Sequence, residues 1–328
     1  MKILVTGGGG FLGQQLIASM LAAGALKVRD AAAPEAIDRI ICLDQAEGAI
    51  RDPRVENVAG DITDAALLAR LLGSETRAVV HLAAVVSGTA EANFDLGMRV
   101  NVDGTRALLE AARSGGARPR LLFSSSLAVF GGELPAVVDD AVAPTPQGSY
   151  GVQKLIGEWL VHDYSRKGFI DGRCVRIPTV VVRPGRPNGA ASGFASNIIR
   201  EPLAGYAATL PVPPATRMWI TSPRAAVANL RHALETDGSA WGTKRAVNLP
   251  GLSVSMSEAL AALERVGGSA ARARVTEQRD EAIERLVLTW PDQFRTDRAL
   301  AMGFSADPDF DAIVRAHIDA YGSVDARR

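Results

Sequence analysis

The chain has 328 residues, 36 basic and 36 acidic side chains, and a hydrophobic fraction of 47%. This length suits one large α/β domain, alone or with a smaller lobe, and the hydrophobic fraction excludes a disordered chain. The zero net charge offers no basic surface for a nucleic acid, and no apolar run reaches the roughly 18 residues of a membrane span. The sequence contains no cluster of cysteine and histidine that would predict a metal site.

The cellular location is predicted from two features. The first apolar strand begins at Met1, so no signal peptide is expected. Cys42 and Cys174 both lie in apolar, strand-like runs, which favours buried free thiols over a disulfide. Together these features predict a cytoplasmic protein.

The start of the chain predicts a phosphate-binding turn between a strand and a helix. Residues 3–5 are apolar and read as a strand buried on both faces, and a helix is predicted from about residue 12 to residue 23. Between them lies the pattern G-x-x-G-x-x-G, formed by Gly7, Gly10 and Gly13. Such glycines allow a tight turn, close approach of the main chain to a pyrophosphate, and close packing of helix and strand. This arrangement predicts the opening βαβ unit of a doubly wound, dinucleotide-binding sheet.

The pyrophosphate is expected over the N–H groups at the helix start, next to Phe11 and Leu12. A plain flexible turn is the alternative, whereas a Walker-type loop is excluded because no Gly-Lys-Ser/Thr closes the run. A second strand, predicted over residues 39–43, ends at Asp44. An acid at this point binds ribose hydroxyls and repels a 2′-phosphate, so Asp44 favours NAD over NADP unless it is only a solvated turn residue.

Two further strand ends carry candidate cofactor contacts. After a strand at residues 55–58, Asp61 either holds the adenine amino group, with Ile62 against the ring, or caps the helix predicted at residues 64–72. A fourth strand then leads to three residues that leave room for the cofactor: Leu82, Ala83 and Ala84. His81, in the same apolar run, is predicted to be a core residue.

The segment after the fourth strand adds a loop and a helix. Ser87 and Gly88 are predicted to form a loop at the edge of the sheet where ligands bind. Residues 100–113 read as an amphipathic helix with Asn101 near its start.

A fifth strand and a following helix carry the candidate catalytic residues. The strand at residues 121–123 runs into three serines that end with Ser126, and Tyr150 and Lys154 are spaced i, i+4 on one helix face. The Lys154 ammonium and an oxidised nicotinamide should both favour the phenolate, which predicts a lowered pKa for Tyr150. Ser126 would orient a substrate hydroxyl while Tyr150 takes its proton. Such a pair also occurs by chance, but here it follows the glycine turn and the acid-ended strand in the required order.

The same helix carries an apolar stripe, which is either core or, with the helix at residues 100–113, a dimer interface. Its members are Val152, Leu155, Ile156, Trp159 and Leu160.

Taken together, these motifs resemble those of the NAD-dependent epimerase/dehydratases, the extended short-chain dehydrogenase/reductases. The similarity covers nearly the whole chain and includes the glycine turn, Gly60-Asp61, Leu82-Ala83-Ala84, Asn101-Val102-x-Gly104-Thr105, Ser124-Ser125-Ser126, Tyr150-x-x-x-Lys154 and a tail at residues 298–304. The resemblance implies that the catalytic serine, base and helper are Ser126, Tyr150 and Lys154.

The resemblance also implies a fold and further contacts. The expected fold is a Rossmann-type, doubly wound parallel sheet over residues 1–177, interleaved with a smaller lobe, mainly substrate-binding, over residues 178–328. Ser124, Asn101 and Pro178 are expected beside the cofactor, Pro178 at the nicotinamide carboxamide. A homodimer is expected, with the apolar stripe as its candidate interface.

Two departures from the family pattern narrow the expected reaction. Ser126 is followed by Leu127 and Ala128, so the Thr-Asp-Glu acids of the sugar dehydratases are missing. The Arg-x-x-Asn-x-Tyr-Gly-Pro motif of the epimerases is also missing after the sixth strand, which argues against a UDP-sugar site. Residues 87–89, 193–196 and 217–221 are similar to those of NAD-dependent enzymes that oxidise the C2 hydroxyl of a four-carbon sugar acid.

A sugar acid requires a cation for its carboxylate and polar partners for its hydroxyls. The candidate cations are Arg183, Arg186, Arg217 and Arg224. The candidate hydroxyl partners are Ser87, Ser126, Thr179, Asn188 and Ser196. Three tryptophans are predicted to pack in the interior, although the first could line the site: Trp219, Trp241 and Trp290.

Helices are predicted at residues 225–234 and 257–266, and the class of residues 275–288 stays open. Three functions are compatible with these patterns: a sugar-acid dehydrogenase, a nucleotide-sugar epimerase with tightly held NAD, and a non-catalytic NAD-binding regulator. The complete serine, tyrosine and lysine set weighs against the regulator, which needs no base.

Overall fold

The computed structural model describes residues 1–30, 33–185 and 189–323. The strands within these ranges are β1 (Lys2–Thr6), β2 (Ala25–Leu26), β3 (Glu35–Ala36), β4 (Arg39–Asp44), β5 (Val55–Ala59), β6 (Thr76–His81), β7 (Arg120–Ser126), β8 (Asp171–Ile177), β9 (Thr179–Val180), β10 (Ala208–Leu210), β11 (Arg217–Thr221), β12 (Ala246–Asn248), β13 (Leu252–Ser255) and β14 (Val275–Glu277).

The helices alternate with the strands through the first half of the chain. They are α1 (Phe11–Ala23), α2 (Ala65–Leu71), α3 (Ser87–Ala92), α4 (Phe94–Gly97), α5 (Gly104–Ser114), α6 (Ser149–Arg166), α7 (Gly193–Leu203), α8 (Pro223–Glu235), α9 (Gly238–Trp241), α10 (Met256–Gly267), α11 (Ser269–Arg272), α12 (Glu281–Val287), α13 (Asp297–Ala301) and α14 (Phe310–Tyr321). A π-helical segment, Met98–Asp103, leads into α5, and a 3₁₀ turn, Leu127–Val129, follows β7.

A seven-stranded parallel sheet in the order β5-β4-β1-β6-β7-β8-β12 forms the centre of the molecule. The chain runs outward in one direction from β1 to β5 and in the other from β6 to β12, so the order reverses between β1 and β6. A doubly wound sheet binds its ligand outside the carboxyl ends of the strands at this reversal. The predicted Rossmann-type fold is confirmed.

The sheet is buried on both faces because each of its strands alternates apolar residues between two cores. On β1, Ile3 and Val5 pack with α1 and α8, whereas Leu4 packs on the opposite face with α2, α5 and α6. Trp241 completes the first of these cores at 1% exposure, as predicted. Both faces are therefore covered, and the open edge at the carboxyl ends is left for ligands.

A second lobe is built by the chain after Pro178. Its core joins α7, α10 and α14 with the three-stranded sheet β13-β11-β9 and the pair β10-β14. Helix α10 starts with a capping box in which Ser255 and Glu258 bond each other's backbone N–H groups. The lobe does not contain all of this later chain, because α8 packs on the main sheet and β12 extends it.

Several local predictions needed correction. The predicted loop at Ser87 is the start of α3, and the helix predicted from residue 100 begins as the π-helical segment. The segment at residues 275–288, left open by its pattern, holds both β14 and α12. Within the described ranges, none of the helices is long and apolar enough to span a membrane.

Helix α6 lies very close to β7 at Gly157, where a Cβ atom would lie 2.5 Å from Cζ of Phe123. Replacing a helix glycine by alanine ordinarily stabilises a protein. We expect the opposite for Gly157→Ala, with the free energy of unfolding lowered by about 1–3 kcal/mol because the core is overpacked. Urea unfolding measures this change, and Lys167→Ala, an exposed substitution at the end of α6, is the control. A stabilised Gly157→Ala protein would contradict the described packing.

Candidate active site

Two cavities meet at the carboxyl edge of the parallel sheet. The larger has a volume of about 330 Å³ and the smaller about 300 Å³. Four residues at the reversal of strand order line both cavities: Gly7, Gly10, Leu82 and Ala84. The two cavities therefore form one elongated cleft, which is the shape that an extended dinucleotide requires.

The glycine turn shapes the middle of this cleft. Gly7 has a φ of 69°, and a Cβ atom on it would lie 2.5 Å from the backbone nitrogen of Ala83. A Cβ atom on Gly13 would lie 2.4 Å from the carbonyl oxygen of Gly7. Gly10 caps α1 without a side-chain hydrogen bond, and the first turn of α1 contains no acidic residue. The free N–H groups at this helix start therefore fit a pyrophosphate.

Phe11, Leu12 and Gly13 line the larger cavity, as predicted from the turn. Asp44 lines the smaller one, and its carboxylate accepts hydrogen bonds from the backbone N–H of Gly9 at 2.9 Å and of Gln45 at 2.7 Å. This negative charge at the end of the second sheet strand along the chain suits ribose hydroxyls and opposes a 2′-phosphate. The residues around this cavity therefore fit NAD.

Ile62 and Val100 provide apolar walls of the smaller cavity, in the place expected for an adenine ring. Ala83 lines the same cavity. Small residues therefore border the cleft at the strand end that was predicted to leave room for the cofactor.

Asp61 does not cap the helix that follows it, and its predicted contact with the adenine amino group stays a prediction. Its carboxylate accepts hydrogen bonds from the backbone N–H and hydroxyl of Thr63 and forms a half-exposed ion pair with Arg99 at 2.9 Å. The hydrogen bonds from Thr63, followed by the contribution of Arg99, lower the pKa of Asp61 below its ordinary value. The helix that follows is capped by Asp64 instead, which accepts a hydrogen bond from the N–H of Leu67. The capping interpretation of Asp61 was therefore wrong.

Asn101 is buried and positions the chain rather than facing the cleft. Its Oδ1 accepts a hydrogen bond from the backbone N–H of Val85 at 2.7 Å, and its Nδ2 donates to Gln153 on α6 at 2.7 Å. The amide thus fixes the segment that follows Ala84 and connects it to the helix of the candidate base. Gln153 had no motif of its own, and the sequence analysis missed it.

The three predicted catalytic residues line the larger cavity together: Ser126, Tyr150 and Lys154. Ser126 ends β7, and its Oγ accepts a hydrogen bond from the N–H of Ala128 at 3.1 Å, which leaves its proton free to be donated. A Cβ atom on Gly151 would lie 2.0 Å from the carbonyl oxygen of Ala128. This close contact brings the first turn of α6, with Tyr150, against the turn that follows Ser126.

The electrostatics of the pair differ from the prediction. Lys154 is 2% exposed, and its Nζ lies 4.8 Å from the ring centroid of Phe123 and 5.7 Å from that of Tyr150. Burial lowers the pKa of Lys154 to about 8. Burial raises the pKa of Tyr150 to about 12, and the charge that opposes this rise is the guanidinium of Arg183. In the chain without a nicotinamide, the expectation that Lys154 lowers the pKa of the Tyr150 phenol was therefore wrong.

His81 is a core residue, as predicted. Its ring nitrogens bond the hydroxyls of Thr6 at 2.7 Å and Thr105 at 2.9 Å, and burial lowers its pKa to about 3. The ring is therefore neutral at ordinary pH and is excluded as the acid–base group. Its backbone carbonyl accepts a hydrogen bond at 3.0 Å from Ser124, which lines the larger cavity.

Among the candidate cations, the structure places Arg183 in the cavity wall. The guanidinium is half-buried, donates to Ser192 Oγ at 3.3 Å, and forms no ion pair with a carboxylate of the described ranges. Burial, with a contribution from Arg200, lowers its pKa below the ordinary value. A half-buried cation that has no acidic partner in the described ranges is suited to a carboxylate ligand.

The other candidate cations have other surroundings. Arg217 donates to Ser253 and pairs with Glu258 at 3.2 Å, and Arg224 is exposed on α8. Arg186 lies outside the described residues, as does the candidate hydroxyl partner Asn188.

The remaining polar candidates fall into two groups. Ser87, Thr179 and Pro178 line the larger cavity, and Ser87 Oγ also accepts a hydrogen bond from the N–H of Ala191 at 3.2 Å. Ser196 is buried behind the cavity, where its hydroxyl accepts a hydrogen bond from the backbone N–H of Arg183 at 3.0 Å. Ser196 therefore supports the cation and does not contact the ligand space.

The tryptophans pack as predicted, and one of them does more. Trp290 packs against the core of the second lobe and also lines the larger cavity, which was not predicted. Trp219 donates to the carbonyl of Leu249 at 3.2 Å and packs against Phe294, outside that cavity. No pattern marked Trp290, since it lies just after the short helix α12. In the described ranges, no group of three acidic, histidine or cysteine side chains could hold a metal ion.

Comparison with known proteins agrees with this geometry. The model of the NAD-dependent epimerase/dehydratase family matches residues 3–219. The chain is 54% identical to a D-erythronate dehydrogenase of Cupriavidus necator over 98% of this chain and 99% of that protein. It is 42% identical to a D-erythronate dehydrogenase of Haemophilus influenzae over 97% and 99% of the two chains.

Solved structures share the whole fold. The crystal structure of a nucleoside-diphosphate-sugar epimerase from Agrobacterium tumefaciens has a TM-score of 0.90 and 39% identity, and covers 98% of this chain and 94% of that one. An L-threonine dehydrogenase from Phytophthora infestans, 24% identical, shares the fold with a TM-score of 0.85 over the full length of both chains. From the family match, the near full-length similarity to these relatives and the cleft with its serine, tyrosine and lysine, we conclude that this chain belongs to the NAD-dependent epimerase/dehydratase family.

Proposed function

We propose that this NAD-dependent enzyme oxidises the C2 hydroxyl of D-erythronate to give 2-dehydro-D-erythronate. The observation that carries the proposal is the position of Arg183, a cation without an acidic partner in the described ranges that shares a cavity with Tyr150 and influences its charge. In a 2-hydroxy acid the carboxylate is bonded directly to the carbon that is oxidised. A guanidinium beside the base therefore places the C2 hydroxyl at the base. The two D-erythronate dehydrogenases similar to this chain support the choice of acid.

The residues of the chain divide the reaction among them. Arg183 holds the carboxylate, Ser126 donates a hydrogen bond to the C2 oxygen, and Tyr150 takes the hydroxyl proton. The buried Lys154 supplies positive charge on the same face of α6. Bound NAD supplies the acceptor for the two electrons and the hydrogen that leave C2. Thr179 and Ser87 are the candidate partners of the remaining hydroxyls.

We assign the cofactor to residues 1–177, with the glycine turn at the pyrophosphate and Asp44 at the ribose. The substrate is assigned mainly to residues 178–328, with Thr179, Arg183 and Trp290 among the residues of this segment that line the larger cavity. We also propose a cytoplasmic location, supported by the two buried free cysteines and the use of NAD. Cell fractionation with an antibody to the protein tests it.

A nucleotide-sugar epimerase is the second candidate, favoured by the 39% identity to the Agrobacterium tumefaciens protein of that description. The same serine, tyrosine and lysine serve both reactions. An epimerase retains its cofactor and shows no net redox change, whereas a dehydrogenase releases NADH in each turnover. A nucleotide sugar carries its charge on the diphosphate and not on the ring that faces the base, so an epimerase gives less reason for a cation beside Tyr150 that has no acidic partner in the described ranges.

We further propose a homodimer. Three large apolar side chains are exposed on neighbouring helices: Phe94 at 59%, Val152 at 42% and Trp159 at 62%. Helix α6, which carries two of them, packs against the π-helical segment and α5. Apolar surface of this kind on adjacent helices is suited to pairing with a second copy.

The substrate assignment is tested by NADH absorbance with NAD and a panel of C4 to C6 sugar acids, with NADP in parallel. We expect a rise with D-erythronate and NAD and a much smaller one with NADP, because Asp44 opposes the 2′-phosphate. In Arg183→Gln, the KM for D-erythronate should rise about 10- to 100-fold as a charged hydrogen bond is lost, with little change in KM for NAD.

Arg224→Gln, which alters an exposed arginine, is the matched control and should behave as the unaltered enzyme. No absorbance rise with any acid would overturn the proposal, and UDP-sugars would then be tested for epimerisation. An unchanged KM in Arg183→Gln would remove the carboxylate role of Arg183.

The role of the base is tested by Tyr150→Phe, which removes only the phenolic oxygen. We expect kcat to fall by about 10²- to 10⁴-fold because the hydroxyl proton loses its acceptor. NAD affinity, followed by the quenching of tryptophan fluorescence, should change little. The matched control is Tyr164→Phe on the same helix, whose hydroxyl bonds Glu110 away from the cavity. Near-normal turnover in Tyr150→Phe would show that the assigned mechanism is wrong.

The homodimer is tested by light scattering after size-exclusion chromatography. We expect a dimer that Trp159→Glu converts to a monomer, because a charge would be buried in the apolar contact. Tyr206→Glu, which places the same charge at a site that is 66% exposed on another surface, should leave the dimer intact. Equal masses for all three proteins would refute this interface.

A further inference from the structure

Helix α6 carries a buried carboxylate that the mechanism above does not use. Glu158 is 5% exposed and lies four residues after Lys154, on the same face of the helix. Its Oε1 accepts hydrogen bonds from Ser125 Oγ at 2.5 Å and from Arg176 Nε at 2.9 Å, and its Oε2 accepts one from Arg176 Nη2 at 2.7 Å. Arg176 thus holds the carboxylate with two parallel bonds, a geometry that fixes its orientation.

The partners of Glu158 lie at one level of the sheet. Ser125 on β7 and Arg176 on β8 are directly paired in the parallel register, and the next pair is Ser126 with Ile177. Both members of that next pair line the larger cavity, and so does Ser125. The carboxylate therefore joins α6 to the two strands at the level where they reach the reaction space.

Glu158 is also the negative charge that faces Lys154. The other titratable groups packed around Lys154 are Tyr150 on α6, Cys174 on β8 and His81 on β6. His81 is neutral, since burial lowers its pKa to about 3. Burial also lowers the pKa of Lys154, and Cys174 and then Glu158 oppose this effect. Of these two groups, Glu158 is the one that the hydrogen bonds above tie to the strand ends.

We propose that Glu158 is a positioning residue for the reaction: its carboxylate fixes the helix of Tyr150 and Lys154 to the strand ends that carry Ser126 and Pro178, and it places a negative charge four residues from Lys154 on the same face of α6. The test by kcat rests on the proposed function, because it needs the substrate. The charge of Lys154 can be measured without any substrate.

The test is Glu158→Gln, which keeps the shape of the side chain and an acceptor for Ser125 but removes the charge. We expect kcat to fall about 10- to 100-fold through misplacement of the base, with KM for NAD within about twofold. The fall of activity at alkaline pH should also move to lower pH by about one unit. The fall moves to lower pH because removing the anion lowers the pKa of Lys154 further, so the ammonium loses its proton at a lower pH.

The matched control is Asp171→Asn at the opposite end of β8. Asp171 is likewise a partly buried carboxylate bonded to arginines, at 3.1 Å to Arg120 and 2.7 Å to Arg173. Both substitutions should lower Tm, since each leaves a buried cation without its partner. Only Glu158→Gln should change the pH profile. A lower Tm with an unchanged profile and kcat in Glu158→Gln would show a merely structural role and overturn the proposal.

A second readout does not depend on the substrate. The chain has five lysines, so the pH titration of ¹⁵Nζ-labelled lysine by NMR can resolve Lys154, with Lys154→Arg for assignment. We expect a lower titration midpoint for Lys154 in Glu158→Gln than in the unaltered protein. An enzyme inert toward every acid but with this shift would refute the proposed substrate and leave the role of Glu158 standing.

If the enzyme oxidises D-erythronate but the titration midpoint of Lys154 and the pH profile are unchanged in Glu158→Gln, the proposed substrate stands and the role of Glu158 is refuted. If Glu158→Gln does not fold, the double variant Glu158→Gln/Arg176→Met removes the unpaired guanidinium as well. The same lowered midpoint is expected there, and its absence would overturn the proposal.

Discussion

The contact of α6 with the strands beneath it is the constraint on which the active site depends. Two glycines make it possible, Gly151 against the carbonyl of Ala128 and Gly157 against the ring of Phe123. Without side chains at these points, the helix approaches the sheet closely enough for Tyr150 and Ser126 to line one cavity. The distance between base and serine is thus set by backbone packing, which is stiffer than any pair of side chains.

The charge distribution of the cleft follows from the same burial. The cleft wall brings Lys154 and Arg183 together with a phenol whose pKa burial raises to about 12. Its acidic groups lie elsewhere: Asp44 in the ribose cavity and Glu158 beneath the helix. The described lining of the larger cavity is therefore positively charged, which suits a ligand with a carboxylate. An uncharged sugar would leave these cations uncompensated.

Much of the fold and the cofactor part of the site followed from sequence because both depend on local geometry. The turn at Gly7 requires a positive φ, and Asp44 ends a strand whose apolar run is plain in the sequence. Tyr150 and Lys154 share a face by helix periodicity alone. These features need no knowledge of distant contacts.

The remainder depends on tertiary placement. Four arginines were equivalent in sequence, and only the folded chain puts Arg183 in the cavity while Arg217 is held by Ser253. Asn101 and Ser196 were expected at ligands, but their polar groups satisfy buried backbone instead. Trp290 reaches the cavity from the far end of the chain, at a position that no spacing rule connects to the glycine turn.

The return of the chain to the main sheet at β12 has a consequence for how the protein is made. This last strand of the main sheet pairs with β8 after about seventy residues have intervened, only part of which belong to the second lobe. During synthesis, β8 is an open sheet edge until residues 246–248 leave the ribosome, and such an edge is a template for pairing with other chains. The edge of the cofactor-binding sheet is thus covered only when β12 has been synthesised. A fragment that ends before β12 would be prone to aggregation.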